Sequence, residues 1–229
     1  MSGGGDPLEA LDPAARDSLA RVLGLLAAER ASVSSVVDER AWRVHVADSL
    51  TGLEVAELRR ASRVADVGAG AGFPGLALAA ALPGARVDLI ESVGRKCEFM
   101  RRAIEAGEIA NASVLNARSE EWAAGGGREA YDAVTARAVG RLSTLAELAS
   151  PLLREGGVLV AWKGRRDEEE EAQLGRAAEL LAMAPERILD VGGRHAGSEH
   201  RHLHVIRKAG PTPAGLPRRP GVAKNRPRG

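Results

Sequence analysis

An apolar run that stops at a cluster of glycines restricts a chain more than any average property does. Here it is Val64-Ala65-Asp66-Val67-Gly68-Ala69-Gly70-Ala71-Gly72-Phe73-Pro74-Gly75, followed by LALAAAL. The residues before Gly68 read as a buried strand and those after Gly75 as a helix, so the glycines mark a strand-to-helix turn whose backbone can come close to a ligand. Six further β-rich runs follow: Arg86 to Ile90, Ala112 to Asn116, Tyr131 to Thr135, Gly157 to Trp162, Glu186 to Val191 and His202 to Lys208; the first strand is Arg63 to Val67. Helical spacing between the first five predicts βαβ units and a parallel sheet. Only GGRHAGSEHR separates the last two, too little for a helix, so an antiparallel hairpin should close the sheet.

Before the sheet, Leu8, Leu11, Ala15, Leu19, Val22, Leu23 and Leu26 keep helical spacing and predict a helix from Pro7 to about Ala28, with Asp6, Pro7 and Glu9 as its N-terminal cap, N1 proline and N3 glutamate. A second helix is expected from Asp38 to Leu58. The organisation expected is an N-terminal helical extension over 1–60, one α/β domain over 61–208, and a tail over 209–229. At 229 residues, one such domain is the natural size.

No apolar run is long enough to span a membrane, and the start MSGGGDPLEA has the features of no secretion signal, so the chain is expected in the cytoplasm. Cys97 is the single cysteine, which excludes an internal disulfide and a cysteine-based zinc site. His200, His202 and His204 alternate along one strand without an organised carboxylate, and no metal is expected. The formal net charge is +1, yet the tail carries Arg218, Arg219, Lys224, Arg226 and Arg228 and no acid, leaving the remainder negative. Rich in proline and glycine, this tail is expected to be mobile until it meets phosphates, and its loss should weaken that polyanion contact while leaving ligand affinity at the glycine turn unchanged.

The glycine turn lacks the dinucleotide fingerprint, because Phe73 stands where the third glycine after Gly68 and Gly70 belongs, and no G-K-[ST] follows to make a phosphate loop. An acid, one residue and three alternating glycines instead resemble motif I of class I methyltransferases. Their Rossmann-like plan is five crossover-linked strands closed by a reversed pair. Glu91, at the end of VDLI and about twenty residues on, can accept hydrogen bonds from both ribose hydroxyls of a cofactor. Asp66 is positioned to hold the loop or the cofactor's amino group.

Over residues 40 to 208 the chain resembles the ribosomal RNA small subunit methyltransferase G (GidB) family. The matching segments are VHVADSL, DVGAGAGFPG, LIESVGRKCEFM, NARSEEW, YDAVTARAV, AWKG and RHLHVIRK. The resemblance implies S-adenosylmethionine as cofactor and transfer of its methyl group to N7 of a guanine in the decoding-region loop of 16S ribosomal RNA. It implies cofactor contacts at Gly68, Phe73, Glu91, Ser119, Glu120 and Arg137, to which the glycine turn itself adds Asp66, Gly70 and Gly72. Glu91 stands where many members carry aspartate, and Phe73 where some carry leucine.

N7 already has an in-plane lone pair, so no general base is expected and positioning can supply most of the catalysis. The site has neither the N/D-P-P-[YFW] motif associated with amine methylation nor a cysteine after the fourth strand, where T-A-R-A stands. Arg137 is therefore expected to orient the cofactor or guanine O6 rather than only to pair with a nearby acid. Lys163 and the five tail cations are the candidate RNA contacts. His45, in H-x-x-D-S, is read as a buried structural histidine. The partner is 16S ribosomal RNA or the small subunit, and the chain a monomer. A class I methyltransferase of small molecules or proteins, or a non-catalytic ribosome-binding protein, are the alternatives.

Overall fold

The computed structural model describes residues 11–29, 34, 36, 40–192 and 200–229. Seven strands, β1 (Arg63–Val67), β2 (Arg86–Glu91), β3 (Ala112–Asn116), β4 (Tyr131–Arg137), β5 (Leu153–Lys163), β6 (Met183–Asp190) and β7 (His202–Lys208), form one sheet in the order β3-β2-β1-β4-β5-β7-β6. β1 to β5 are mutually parallel, and β7 runs antiparallel to both β5 and β6. The strand order reverses between β1 and β4, and in open α/β sheets the crevice beyond the carboxyl ends of such strands is where ligands bind.

The helices are α1 (Pro13–Ala28), α2 (Asp48–Leu50), α3 (Ala56–Arg59), α4 (Gly75–Ala81), α5 (Gly94–Gly107), α6 (Ser119–Ala123), α7 (Leu142–Ala149), α8 (Glu168–Ala177) and α9 (Val222–Asn225). Strand alternation divides the core in two. Val64, Val158 and Val160 face a cluster with α1, α4 and α5, while Ala65, Leu159 and Ala161 face one with α7, α8 and Leu216. No described helix is long and apolar enough to cross a membrane.

β1, β3 and β7 have the bounds expected from sequence, and the closing hairpin is present. β6 begins earlier than expected, at Met183, and runs through Pro185. The proline is tolerated because β6 is the sheet's outermost strand, and the register shifts between Pro185 and Arg187. β5 likewise begins at Leu153, ahead of Gly157, and β4 continues to Arg137.

The N-terminal region departs from expectation. Leu11 and Asp12 are not helical; Asp12 accepts the Ala15 N–H at 2.7 Å and Pro13 occupies the first turn, so α1 is capped there. The cap expected at Asp6, Pro7 and Glu9 lies outside the described residues. The single helix expected over 38–58 is instead a wide π-type turn at Trp42–Ala47, then α2, a 3-10 turn at Thr51–Glu54, a break at extended Val55, and α3. Trp162 accounts for the part from Asp48 to Gly52. Its indole N–H donates to the Asp48 carbonyl (2.8 Å) and to Thr51 Oγ1 (3.1 Å), and its ring lies where a Cβ on Gly52 would be 2.5 Å away. A side-chain donor thus takes the carbonyl that a regular helix would use.

The tail expected to be mobile is packed against the domain. Leu216 and Ala223 are buried, Arg218 pairs with the buried carboxylate of Glu147, Arg128 donates to the Leu216 carbonyl (3.2 Å), and Thr144 donates to that of Ala223 (3.3 Å). Composition registers a basic, proline-rich segment but not the acid waiting for it on α7.

Candidate active site

The chain leaves β1 through Gly68, Gly70 and Gly72, all at positive φ (+67°, +60° and +92°). At Gly70 the requirement is conformational, since an added Cβ would meet nothing closer than a backbone oxygen at 3.8 Å. Such a side chain would project into open space beside the turn. Two carboxylates fix the turn. Asp66 is fully buried and accepts hydrogen bonds from Gly75 N–H (2.9 Å) and Thr135 Oγ1 (2.9 Å); burial pushes its pKa up to about 6. Its oxygens serve the loop. Glu91, ending β2, accepts from Gly70 N–H through Oε2 (3.1 Å) and from Val93 N–H through Oε1 (2.8 Å), and borders the open cleft.

Two adjoining hollows lie at the carboxyl ends of β1, β2 and β4. The first, about 310 Å³, has apolar walls at Ile90, Val139 and Leu148 and polar groups at Glu91, Ser119, Glu120 and Lys224. The second, about 360 Å³, is lined by the backbone of Gly68 to Ala71 and by His45, Asp48, Phe73, Arg137 and Arg201. Gly68, Lys96 and Ala138 border both, so the two meet over the glycine turn.

Ser119 and Glu120 begin α6 and touch each other (Oγ to Oε2, 3.2 Å), and Glu120 Oε1 also accepts the Gly221 N–H at 2.8 Å. Arg137, at the end of β4, donates from Nη1 to Asp48 Oδ2 (2.7 Å) and to the Val44 carbonyl (3.0 Å). Arg201 Nε donates to the other Asp48 oxygen at 2.7 Å. Asp48 is 1% exposed, so one buried carboxylate joins an N-terminal helix, a strand end and the closing hairpin. Arg137 pairs with an acid, and that pairing fixes its guanidinium at the second hollow.

His45 is buried and stacks on Phe73 with ring centroids 5.0 Å apart. Its Nε2 lies 2.9 Å from the Val36 carbonyl oxygen, which can only accept, so Nε2 carries the proton. Burial lowers its pKa below the ordinary histidine value.

Of the expected site residues, Gly68, Glu91, Ser119 and Glu120 border the first hollow, and Gly68, Gly70, Phe73 and Arg137 the second. Asp66 and Gly72 support the turn from beneath; a Cβ on Gly72 would lie 2.4 Å from Leu76. Two expected RNA contacts are already engaged: Lys163 donates to Glu170 (2.6 Å) and the Gly140 carbonyl (3.0 Å), and Arg218 holds Glu147 and the Arg226 carbonyl. Arg219, Lys224 and Arg226 are exposed, and Arg228 is half-buried. Among the described residues no group of three or more His, Cys, Asp or Glu could hold a metal ion. Sequence reasoning missed Arg201, Leu148 and Gly221. Arg201 opens the family-like RHLHVIRK segment, which by itself assigns it no role, and Gly221 lies in a segment expected from composition to be mobile.

A family model described as rRNA small subunit methyltransferase G matches residues 21–203. The Ribosomal RNA small subunit methyltransferase G of Rubrobacter xylanophilus is 46% identical over 80% of this chain and 71% of its own. That of Pelotomaculum thermopropionicum is 39% identical over 86% and 82%. Among solved structures, Aeropyrum pernix fibrillarin, crystallised with natively bound S-adenosyl-L-methionine, covers 73% of this chain and 76% of its own at 14% identity and a TM-score of 0.56. The Methanococcus jannaschii fibrillarin pre-rRNA processing protein covers 74% and 76% at 19% identity, with the same TM-score. These structures share the class I methyltransferase fold, and the sequence matches go further: the chain belongs to the rRNA small subunit methyltransferase G family.

Proposed function

We propose that this chain methylates N7 of one guanine in the decoding-region loop of 16S ribosomal RNA. Membership of the family makes it an rRNA methyltransferase with S-adenosylmethionine as cofactor. The observation that carries the finer reading is the meeting of the two hollows over Gly68, with Glu91 in one and a fixed Arg137 in the other.

The first hollow suits an adenosine. Ile90, Val139 and Leu148 can sandwich a flat base, and Glu91 has lone pairs beyond those facing Gly70 and Val93 with which to accept from a ribose diol. The backbone from Gly68 to Ala71 can hold the methionine portion, since the turn admits close approach. When bound, S-adenosylmethionine supplies an electrophilic methyl group on a sulfonium sulfur.

The second hollow holds groups that orient rather than deprotonate. The Asp48 carboxylate is committed to two guanidiniums, and His45 Nδ1, the nitrogen left without a proton, is buried away from solvent. Such a lining suits a nucleophile with a lone pair ready, as N7 has. Arg137 can donate to guanine O6 beside it and set the base in line for attack. Because methylation leaves the base cationic, Arg137 acts by orientation and not by stabilising that charge.

The test uses tritium-labelled methyl donor with small subunits, free 16S ribosomal RNA and guanine nucleotides in separate reactions. Label is expected in the RNA and, after nuclease digestion, in 7-methylguanosine. Label confined to nucleotides, or in another nucleoside, would refute the proposal.

A further inference from the structure

The family match ends at residue 203, yet the chain beyond it reaches the cleft. Gly221 and Lys224 border the first hollow, which Glu91 also lines. Resting on the reading of that hollow as the adenosine site, we propose that residues 216–226 form its outer wall, with Gly221 and Lys224 as cofactor-positioning residues, so that tail docking and cofactor binding are coupled.

Four observations support this. Glu120, which faces the hollow, accepts the Gly221 N–H, so the acid at the adenine end is set by the tail. Gly221 has φ +81°, a conformation that side chains resist, while an added Cβ would find only Asn225 Nδ2 at 3.9 Å; glycine is needed for backbone shape, not room. The segment is anchored at both ends of this contact, by buried Leu216 and the Arg218–Glu147 pair before it and by buried Ala223 after it. Thr144 joins the two walls, bordering the hollow while donating to the Ala223 carbonyl at 3.3 Å.

The electrostatics agree. Glu91 and Glu120 give the hollow two carboxylates, and Lys224 from the tail joins Lys96 and Arg118 as the cations lining it. If the tail docks better with the hollow filled, the cofactor must bind better with the tail docked, by the same factor. The tail therefore serves the cofactor, contrary to the expectation that cofactor affinity is independent of it.

The experiment uses the full chain. Hydrogen exchange is followed across 216–226 with and without S-adenosylhomocysteine, and calorimetry compares wild type with Ala223→Asp, Lys224→Ala and Glu91→Ala. Ligand should slow exchange in the segment, and Ala223→Asp, which puts a charge at a buried anchor, should weaken binding about tenfold. Lys224→Ala should weaken it by a smaller factor. If Ala223→Asp does not fold, exchange in the wild type and the Lys224 variant decide. Unchanged tail exchange with unchanged affinity in the tail variants, while Glu91→Ala loses binding, would overturn the coupling and leave the adenosine site intact. Wild type that binds no ligand would overturn both.

Discussion

Replacing Glu91 by alanine should separate its hold on the glycine turn from the cofactor contact proposed for it. In the free protein it accepts Gly70 N–H at 3.1 Å and Val93 N–H at 2.8 Å, lengths normal for such bonds. Each bond to a charged acceptor contributes about 1.5–3 kcal/mol, but the cleft lets water replace part of it, so Glu91→Ala should cost about 2 kcal/mol of stability. For a domain of this size that lowers Tm by about 4–8 °C. Loss of two ribose hydroxyl bonds should cost cofactor binding about 3 kcal/mol, roughly 100-fold in Kd. Glu91→Gln should fall between, because its amide can present an oxygen to Gly70 or to Val93 but not to both. Calorimetry with S-adenosylmethionine beside a circular-dichroism melt reads both quantities. A folded Glu91→Ala that binds with wild-type affinity would refute the assignment of the first hollow.

Asp48→Ala should cost about 3–5 kcal/mol in urea unfolding, since two guanidiniums lose their shared buried carboxylate; a loss under about 1 kcal/mol would show that water reaches the cluster. Arg137→Lys keeps a charge for Asp48 but loses the planar fork, so kcat should fall about tenfold or more while Tm shifts by only a few degrees. A fall in Tm without a fall in kcat would make Arg137 structural. Asp66 has a folded pKa near 6 against an ordinary 3.8, so the folded state binds more protons between these values. Its contribution is fully present below pH 3.8 and is lost as pH rises through 6. Wild type should therefore lose stability relative to Asp66→Asn as pH rises from about 4 to 6, and the opposite slope in urea midpoints would contradict the burial argument.

The sheet was legible because its signals are local. The buried run of β1 and the missing helix before β7 both follow from a few neighbouring residues, and Glu91 falls where the glycine turn says an acid should be. What escaped depends on partners distant in sequence. Trp162 bends the helix at Asp48 from 114 positions away, and Arg218 finds Glu147 from 71 positions away, which turns an apparently mobile basic tail into packed structure. Arg137 is expected at the site from sequence, but its counter-ion Asp48, in the H-x-x-D-S segment, cannot be matched to it from local sequence. Pro185 concealed the start of β6 because a proline is excluded from an inner strand, and nothing local says that this strand is at the edge.

The central claim, N7 as the methylated atom, is tested most directly by borohydride reduction and aniline cleavage of 16S ribosomal RNA from cells with and without the gene. Methylation at N7 makes the guanine ring reducible and the chain cleavable at that nucleotide. The account predicts one gene-dependent scission in the decoding-region loop, restored by wild-type protein and diminished by Arg137→Lys. Gene-dependent methylation found on a ribose, a pyrimidine C5 or an exocyclic amine, with no scission, would contradict it.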